Sequence, residues 1–203
     1  MSGEGAAGHT ADRNDEELMR LASAADEDAF TVLYRRHHRA VYRFALLMSG
    51  SEATAQDVTQ EVFLVLIQHG KRYDAGRAAL STYLCGIARN LILQGIRKDR
   101  RLDSMPELEE VANAAIWSAD SHDPFGEYER EQRIELLKKA VLRLPPVYRE
   151  AVVLCDLQEM RYEDAAAVIG CAAGTVASRL HRGHALLWAR LQSMRTEQDG
   201  ETR

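Results

Sequence analysis

Hydroxyl and cationic side chains crowd one short stretch of the chain, between residues 174 and 183. The members that can donate hydrogen bonds to phosphate oxygens and to nucleobase edges are Thr175, Ser178, Arg179, His181 and Arg182. No carboxylate lies between Ala165 and Thr196, although the chain carries a net charge of −5. Because salt screens charges beyond about 8–10 Å, a nucleic acid here would meet a locally basic surface. The alternative is an ordinary solvated helix face.

The residues around this stretch have the spacing of two short helices that cross at a tight turn. Gly170 supplies the positive φ that ends the first helix, and Ala166 is small enough for close packing. The second helix begins near Gly174, and its inward stripe consists of Val176, Leu180, Leu187 and Leu191. This spacing predicts a helix-turn-helix over residues 162–191.

A second group of cations closes a helix predicted to begin at Leu80. It comprises Arg97, Lys98, Arg100 and Arg101 around the single Asp99, and Arg89 and Asn90 precede it on the same helix. Cations near a helix C-terminus stabilise the helix dipole, which is one explanation. Four cations in five residues exceed what a helix end requires, so we predict that they bind phosphate groups.

The helix predicted after Ser51 has two different faces. Its apolar face packs inward, whereas Asp57, Gln60, Glu61 and Leu64 recur at helical spacing on another face. A face that mixes carboxylates, amides and a leucine is typical of a docking surface, although solvated faces are also common. We predict a docking surface here.

Composition limits the class of protein. The 203 residues are 46% hydrophobic, which suits a globular fold, and the three separated cysteines favour buried thiols over disulfides or a metal site. We therefore expect a cytoplasmic protein. We expect no insertion into a membrane, because no apolar run approaches the ~18 residues that a transmembrane helix needs. No nucleophile, zinc-ligand or phosphate-loop signature occurs, so we expect no catalytic residues, no metal, no cofactor and no enzyme.

The predicted fold is all-α, with two small helical domains joined by an acidic flexible linker. Between Asp103 and Glu131 nine carboxylates stand against Arg130 alone, which is typical of a solvated tether. The predicted boundaries are a disordered tail at 1–14, a helical domain at 15–101, the linker at 102–126, the helix-turn-helix domain at 127–195 and a tail at 196–203.

Together these segments resemble RNA polymerase sigma factors of the extracytoplasmic-function type, over roughly residues 29–191. The segment DVTQEVFLVL resembles the polymerase-docking helix of that family, and STYLCGIARN resembles its promoter-melting helix. LPPVYREAVVL followed by GTVASRLHRG resembles its C-terminal promoter-binding domain. Their co-occurrence in this order is more specific than any one of them.

The resemblance implies core RNA polymerase and promoter DNA as partners, and an anti-sigma factor as regulator. The implied polymerase-binding residues are Asp57, Gln60, Glu61, Phe63 and Leu64. The loop 73–79 would line a pocket for a flipped base, with Asn90 as its floor, and the first domain would help to melt the downstream promoter element. The alternatives are a protein that mimics a sigma factor to sequester its regulator, and a helix-turn-helix repressor. For Asn90, the alternative is a satisfied polar residue inside the bundle.

Overall fold

The computed structural model describes residues 13–99 and 124–201, with side chains over 13–96 and 132–193. Within these ranges every regular element is helical, which confirms the predicted all-α fold. The described residues separate into two compact units, one formed by 13–45 and 52–99 and the other by 46–51 and 124–201. Residues 1–12 of the predicted tail at 1–14, and residues 102–123 of the predicted linker, lie outside the described residues. Asn14, at the end of that predicted tail, is ordered, because its side chain accepts the N–H of Glu17 and caps the first helix.

The first unit contains four helices. They are α1 (Asp15–Ala22), α2 (Glu27–Ser49), whose last turn counts with the second unit, α3 (Glu52–His69) and α4 (Leu80–Asp99). Asp26 caps α2, because its Oδ1 accepts the amide N–H of Ala29 at 2.9 Å. Gly50, with a φ of +75°, ends the same helix by donating its N–H to the carbonyl of Leu46.

The interior of the first unit is built from one apolar stripe of each helix. Its fully buried side chains include Leu18, Leu33, Val41, Phe44, Val62, Leu80 and Leu84. Tyr34 has the helical spacing of the apolar positions of α2, but its side chain is 40% exposed. The ring of Tyr34 stacks on His38 and meets Phe63 edge-on, so it lies at the border of the core.

A charged cluster fastens α1 to α2. Oδ2 of Asp15 lies 2.8 Å from Nε2 of His37, a buried side chain, and Oδ1 of Asp15 accepts from the guanidinium of Arg36. The same guanidinium donates to the carbonyl of Arg13. The hydrogen bond from His37 lowers the pKa of Asp15 against the effect of burial, with further lowering by the charges of His37 and Arg36.

The second unit also contains four helices. They are α5 (Pro124–Leu142), α6 (Pro146–Val152), α7 (Tyr162–Ile169) and α8 (Ala173–Glu201), and α6 runs into a π-helical turn at Val153–Leu157. Helix α5 begins three residues before the predicted start of the domain, because proline is favourable in a first turn. Helix α8 continues beyond the predicted end at 195, since no Gly or Pro interrupts it before Gly200.

A half-buried guanidinium caps the C-terminal end of α5. Arg149, on α6, donates to the carbonyl oxygens of Leu142 and Leu144, which lie past the last intrahelical hydrogen bonds of α5. Partial burial lowers the pKa of Arg149. The neighbouring core residues Val141 and Leu144 are almost completely buried.

The helix-turn-helix has the predicted geometry. Gly170 has a φ of +77° and donates its N–H to the carbonyl of Ala166 at 2.8 Å, which ends α7 in the left-handed conformation. Helix α8 begins one residue before the predicted Gly174. Ala166, Val176 and Leu180 are all buried between the two helices and the rest of the unit, as the spacing predicted.

Candidate nucleic-acid interfaces and docking face

The first turns of α8 present the predicted polar residues on one side. Ser178, His181 and Arg182 are exposed, whereas Thr175 and Arg179 are half-buried at the edges of this face. The hydroxyl of Ser178 donates to the carbonyl of Thr175 at 2.9 Å, and Val176 and Leu180 occupy the buried side. We call Ser178, His181 and Arg182 the recognition face.

One carboxylate from another element reaches α8, which the sequence analysis missed. Oδ2 of Asp156, in the π-helical turn, lies 2.7 Å from Nε2 of His184. The two residues are 28 positions apart in the chain, so no local pattern signals the pair. The stretch from Ala165 to Thr196, which has no acidic residue of its own, therefore has one carboxylate beside it, that of Asp156.

Gly183 is a second feature of α8 that the sequence analysis missed. This residue is buried, and a Cβ added to it would lie 2.8 Å from Cγ2 of Val152 and 3.4 Å from the carbonyl oxygen of Tyr148. Any larger residue here would force the Val152 side chain or the helix to shift. The position of Gly183 after Val176 and Leu180 at helical spacing was a usable signal, because it marks the same inward face.

The docking face of α3 is exposed as predicted for four of its five residues. Asp57, Gln60 and Glu61 are exposed, and Leu64 is 48% exposed. Phe63 is different, because it is only 3% exposed and its ring lies 4.8 Å from that of Tyr34. We correct its assignment from a direct contact to a residue that supports the face from beneath.

The docking face extends further than the sequence analysis placed it. Ile67, on the next turn of α3, is 60% exposed and lies on the same side as Leu64. Tyr34 of α2 borders Phe63 and is also partly exposed. Leu64 and Ile67 lie within a continuous apolar run, Val62 to Ile67, in which spacing alone does not show which side chains face outward.

The loop before α4 is organised by Asp74 and by two tyrosines. Oδ1 of Asp74 accepts the N–H of Gly76 at 3.0 Å, and its carbonyl accepts the N–H of Arg77. The rings of Tyr73 and Tyr83 lie 5.4 Å apart. Burial raises the pKa of Tyr73, and the carboxylates of Asp15, Glu16 and Asp74 raise it further, so its hydroxyl stays protonated at neutral pH.

On α4 the structure tests only part of the predicted nucleic-acid site. Asn90 is exposed, so the alternative that it is a satisfied polar residue inside the bundle is wrong. It lies seven residues after Tyr83 on the same side of the helix, about 10 Å along the axis, so it is not directly beneath the loop. Arg89 is half-buried and has a partner. The side chains of Arg97 and Lys98, and the whole of Arg100 and Arg101, lie outside the described residues.

An open groove of about 630 Å³ lies between α1 and the loop before α4. Its lining mixes charges of both signs, including Glu16, Arg20, Lys71 and Asp74, beside Tyr73. At its base Met19 and Gly70 are in close contact, since a Cβ on Gly70 would lie 3.0 Å from Cε of Met19. The groove therefore adjoins the loop that the sequence analysis assigned to base capture.

Two of the three thiols, Cys85 and Cys155, are poor nucleophiles. Burial raises the pKa of Cys85 to about 12, and burial together with Asp156 raises that of Cys155 to about 11, so both stay protonated at neutral pH. In the part of the chain that the structure describes, no three His, Cys, Asp or Glu side chains group as metal ligands. No described helix combines the length and the apolar character that crossing a bilayer requires.

Two family models match the chain, one in each unit. Sigma-70 region 2 matches residues 33–102, and Sigma-70, region 4 matches residues 134–187. The ECF RNA polymerase sigma factor SigM of Mycobacterium tuberculosis is 35% identical over 178 residues, which cover 87% of this chain and 84% of SigM. The chain belongs to the ECF sigma factors.

Other relatives agree with this assignment. The ECF sigma factor RpoE of Cereibacter sphaeroides is 33% identical over 80% of this chain and 87% of its own length. SigE of Mycolicibacterium smegmatis is 35% identical over 74% of this chain, but the match spans only 57% of SigE. The predicted sigma-factor family is confirmed, and the mimic and repressor alternatives are not favoured.

Two solved structures share the fold. A co-crystal structure of the sigma factor RpoE with the anti-sigma factor NepR from Bartonella quintana matches with a TM-score of 0.67 and 26% identity, over 80% of this chain and 96% of that one. The structure of CnrH with the cytosolic domain of CnrY has a TM-score of 0.63 at 22% identity, over 88% and 97% of the two chains. The second likeness concerns the fold alone.

Proposed function

We propose that this ECF sigma factor binds core RNA polymerase, brings it to promoters with two separated elements and helps to open the duplex. The observation that carries the proposal is the recognition face of α8, which lies on a helix-turn-helix and has no acid of its own helix beside it. A single helix of this kind makes two or three bidentate base contacts of about 1–3 kcal/mol each. Because ordering costs offset much of that energy, the face needs a partner that holds it at the promoter.

Residues 15–101 would form the polymerase-binding and melting domain, 102–126 the linker, and 127–195 the domain for the upstream element. Helix α5 takes the last three of these linker residues, and the remaining stretch of about 22 would extend to at most about 70–80 Å, which still spans two turns of duplex at about 34–36 Å each. The two domains can therefore reach two promoter elements on one face of the DNA.

Polymerase binding is assigned to the docking face of α3. Asp57, Gln60 and Glu61 surround the exposed Leu64, and Phe63 supports it from the core side. An apolar centre within a polar rim is the usual arrangement of a protein interface. The clamp helices of the largest polymerase subunit are the proposed contact.

Upstream-element binding is assigned to α8. Thr175, Ser178, Arg179, His181 and Arg182 would divide between base edges and phosphate oxygens. Of these, Ser178, His181 and Arg182 are the most exposed, which favours them for the base edges. The half-buried Arg179 would reach a phosphate at the edge of the groove.

Melting is assigned to the loop 73–79 and to α4. Unstacking a base costs a few kcal/mol, which a pocket and cations along the displaced strand must offset. The protonated hydroxyl of Tyr73 and the exposed amide of Asn90 are hydrogen-bonding groups on that side of the unit. Arg89, Arg97, Lys98, Arg100 and Arg101 would follow the strand backbone.

An anti-sigma factor is the proposed regulator of this protein. RpoE of Bartonella quintana, which matches 80% of the chain, was solved in complex with the anti-sigma factor NepR. We further propose that the protein acts in the cytoplasm, where its polymerase and promoter are, and that it catalyses no reaction itself.

Run-off transcription with purified core polymerase tests the proposal. The full-length chain should direct initiation from a promoter fragment of its source genome, and core polymerase alone should not. Permanganate footprinting of thymines then tests melting. Asn90→Ala combined with Arg97→Ala should keep core binding but lose the reactive bubble, and an undiminished bubble would place melting elsewhere.

A further inference from the structure

Among the described residues of α8, Gly183 and His184 make two adjacent contacts with the rest of the unit besides the apolar stripe. There Gly183 lies against Val152, and the next residue, His184, is paired with Asp156 at 2.7 Å. Both partners belong to the segment that leads out of α6 and through the π-helical turn. The contact therefore joins consecutive residues of α8 to one short segment.

The hydrogen-bonded pair of His184 and Asp156 contributes little to the stability of the fold. The side chain of His184 is 52% exposed and that of Asp156 is 36% exposed. Pairs between such exposed groups contribute little to folding, because water screens them and ordering the side chains is costly. We therefore expect the pair to affect the orientation of α8 and not the stability of the fold.

The position of the pair on α8 suits an orienting role. At 100° per residue, Arg182 and His184 point to sides of the helix about 200° apart. A contact between His184 and Asp156 therefore keeps Arg182 on the opposite, exposed side of the helix. The close approach at Gly183 limits movement along the helix axis at the same level.

We propose that Asp156 is a positioning residue which, through His184, sets the orientation of the recognition face against the upstream promoter element. The inference rests on the proposed binding of that element by α8, and it adds a determinant of specificity that does not touch DNA. Bidentate contacts with base edges depend on angle, whereas phosphate contacts tolerate small rotations. Loss of the pair should therefore reduce discrimination between sequences more than overall affinity.

The test uses holoenzyme, made from core polymerase and the full chain, on promoter fragments that it selects from a library with randomised upstream elements. Affinity is measured for the selected fragment and for fragments with one changed base pair. Asp156→Asn and His184→Asn should each lower the ratio of these affinities by about fivefold or more, as expected when one bidentate contact is weakened. The double variant should lose no more than either single one. His184→Arg should keep the ratio, because a guanidinium can retain the ion pair.

Glu163→Gln is the matched control, because it removes an exposed carboxylate from the same unit without touching the pair. It should raise affinity for all fragments alike and leave their ratio unchanged. The inference is overturned if Asp156→Asn behaves like this control, or if its loss of discrimination comes with a lowered melting temperature that His184→Asn does not share. If wild-type holoenzyme selects no promoter, the proposed function itself fails and the inference falls with it.

Discussion

The exposed faces of α3 and α8 differ in both charge and apolar character. The α3 face carries Asp57 and Glu61 around Leu64, and Ile67 extends its apolar centre. The recognition face of α8 carries Arg182, His181 and Ser178, and between residues 174 and 183 it exposes no large apolar side chain. The first face suits a protein partner and the second suits a polyanion.

Each unit has a charged side chain that joins two of its own helices, and the sign of that charge differs between the units. In the first, an anion is central, because Asp15 receives hydrogen bonds from α2. In the second, a cation is central, because Arg149 donates to two carbonyls at the end of α5. Arg149 is the more buried of the two groups, so its loss should be the more costly. Net charge, −5 for the whole chain, predicts neither arrangement.

Reversing the charges of the α3 face should have the largest effect. Asp57→Arg with Glu61→Arg should weaken binding to core polymerase by about 100-fold or more, because like charges across an interface cost several kcal/mol. Co-purification with core enzyme measures this loss, and the circular dichroism spectrum should stay unchanged.

The matched control reverses two exposed carboxylates of the second unit, Glu159→Arg with Glu163→Arg. It changes the net charge equally and should leave co-purification intact. Retained binding by the α3 variant, or equal loss by the control, would contradict the assignment of the docking face.

Removing the Arg149 guanidinium should have the next largest effect. Arg149→Ala leaves the carbonyls of Met48, Leu142 and Leu144 without this donor and should lower the free energy of unfolding by about 2–3 kcal/mol. Arg149→Lys should recover only part of this, because an ammonium lacks the planar fork. Urea unfolding of the full chain followed by circular dichroism measures both, and a loss below about 0.5 kcal/mol would show that water replaces the guanidinium.

Local chemistry explains which features could be predicted from the sequence. The cap at Asp26, the positive φ of Gly170 and the helix start at Pro146 each depend on a few neighbouring residues. The exposed residues Asp57, Gln60 and Glu61 followed from helical spacing, because polar and apolar positions alternate clearly there.

Features that depend on tertiary packing could not be predicted in this way. Phe63 and Leu64 stand in an apolar run, where spacing cannot decide which side chain faces the core. Phe63 packs against the ring of Tyr34, which belongs to another helix, so its orientation depends on tertiary packing. The pair of Asp156 with His184 bridges 28 residues, so only the packing of α8 on its unit creates it.

Truncating the recognition face should have a smaller effect than the first two changes. Arg182→Ala should weaken holoenzyme binding to its promoter by about 1–2 kcal/mol, and only for the preferred sequence if the contact is to a base. Arg179→Ala should weaken binding to all sequences alike if it contacts a phosphate. The control is Arg143→Ala, an exposed cation of the same unit outside α8. Unchanged promoter occupancy in both α8 variants would show that the face is misassigned.

The smallest effect is expected for the anion of the first unit, and it depends on pH. The folded state lowers the pKa of Asp15 below its usual value of 3.8, first through the hydrogen bond from His37. A carboxyl with a lowered pKa contributes stability that is present above about pH 4 and is lost as pH falls through the folded-state value. Asp15→Asn should therefore cost about 0.5–1 kcal/mol at pH 7, a modest figure because the carboxylate is only partly buried and water still screens it. The difference between the two proteins should shrink below about pH 4, since wild type then loses the same interaction.

Thermal unfolding of both proteins between pH 3 and 7 measures this difference in stability, with Glu16→Gln as a control for an exposed carboxylate of α1. A difference that stayed constant over this range would show that Asp15 acts through packing of α1 and not through its charge.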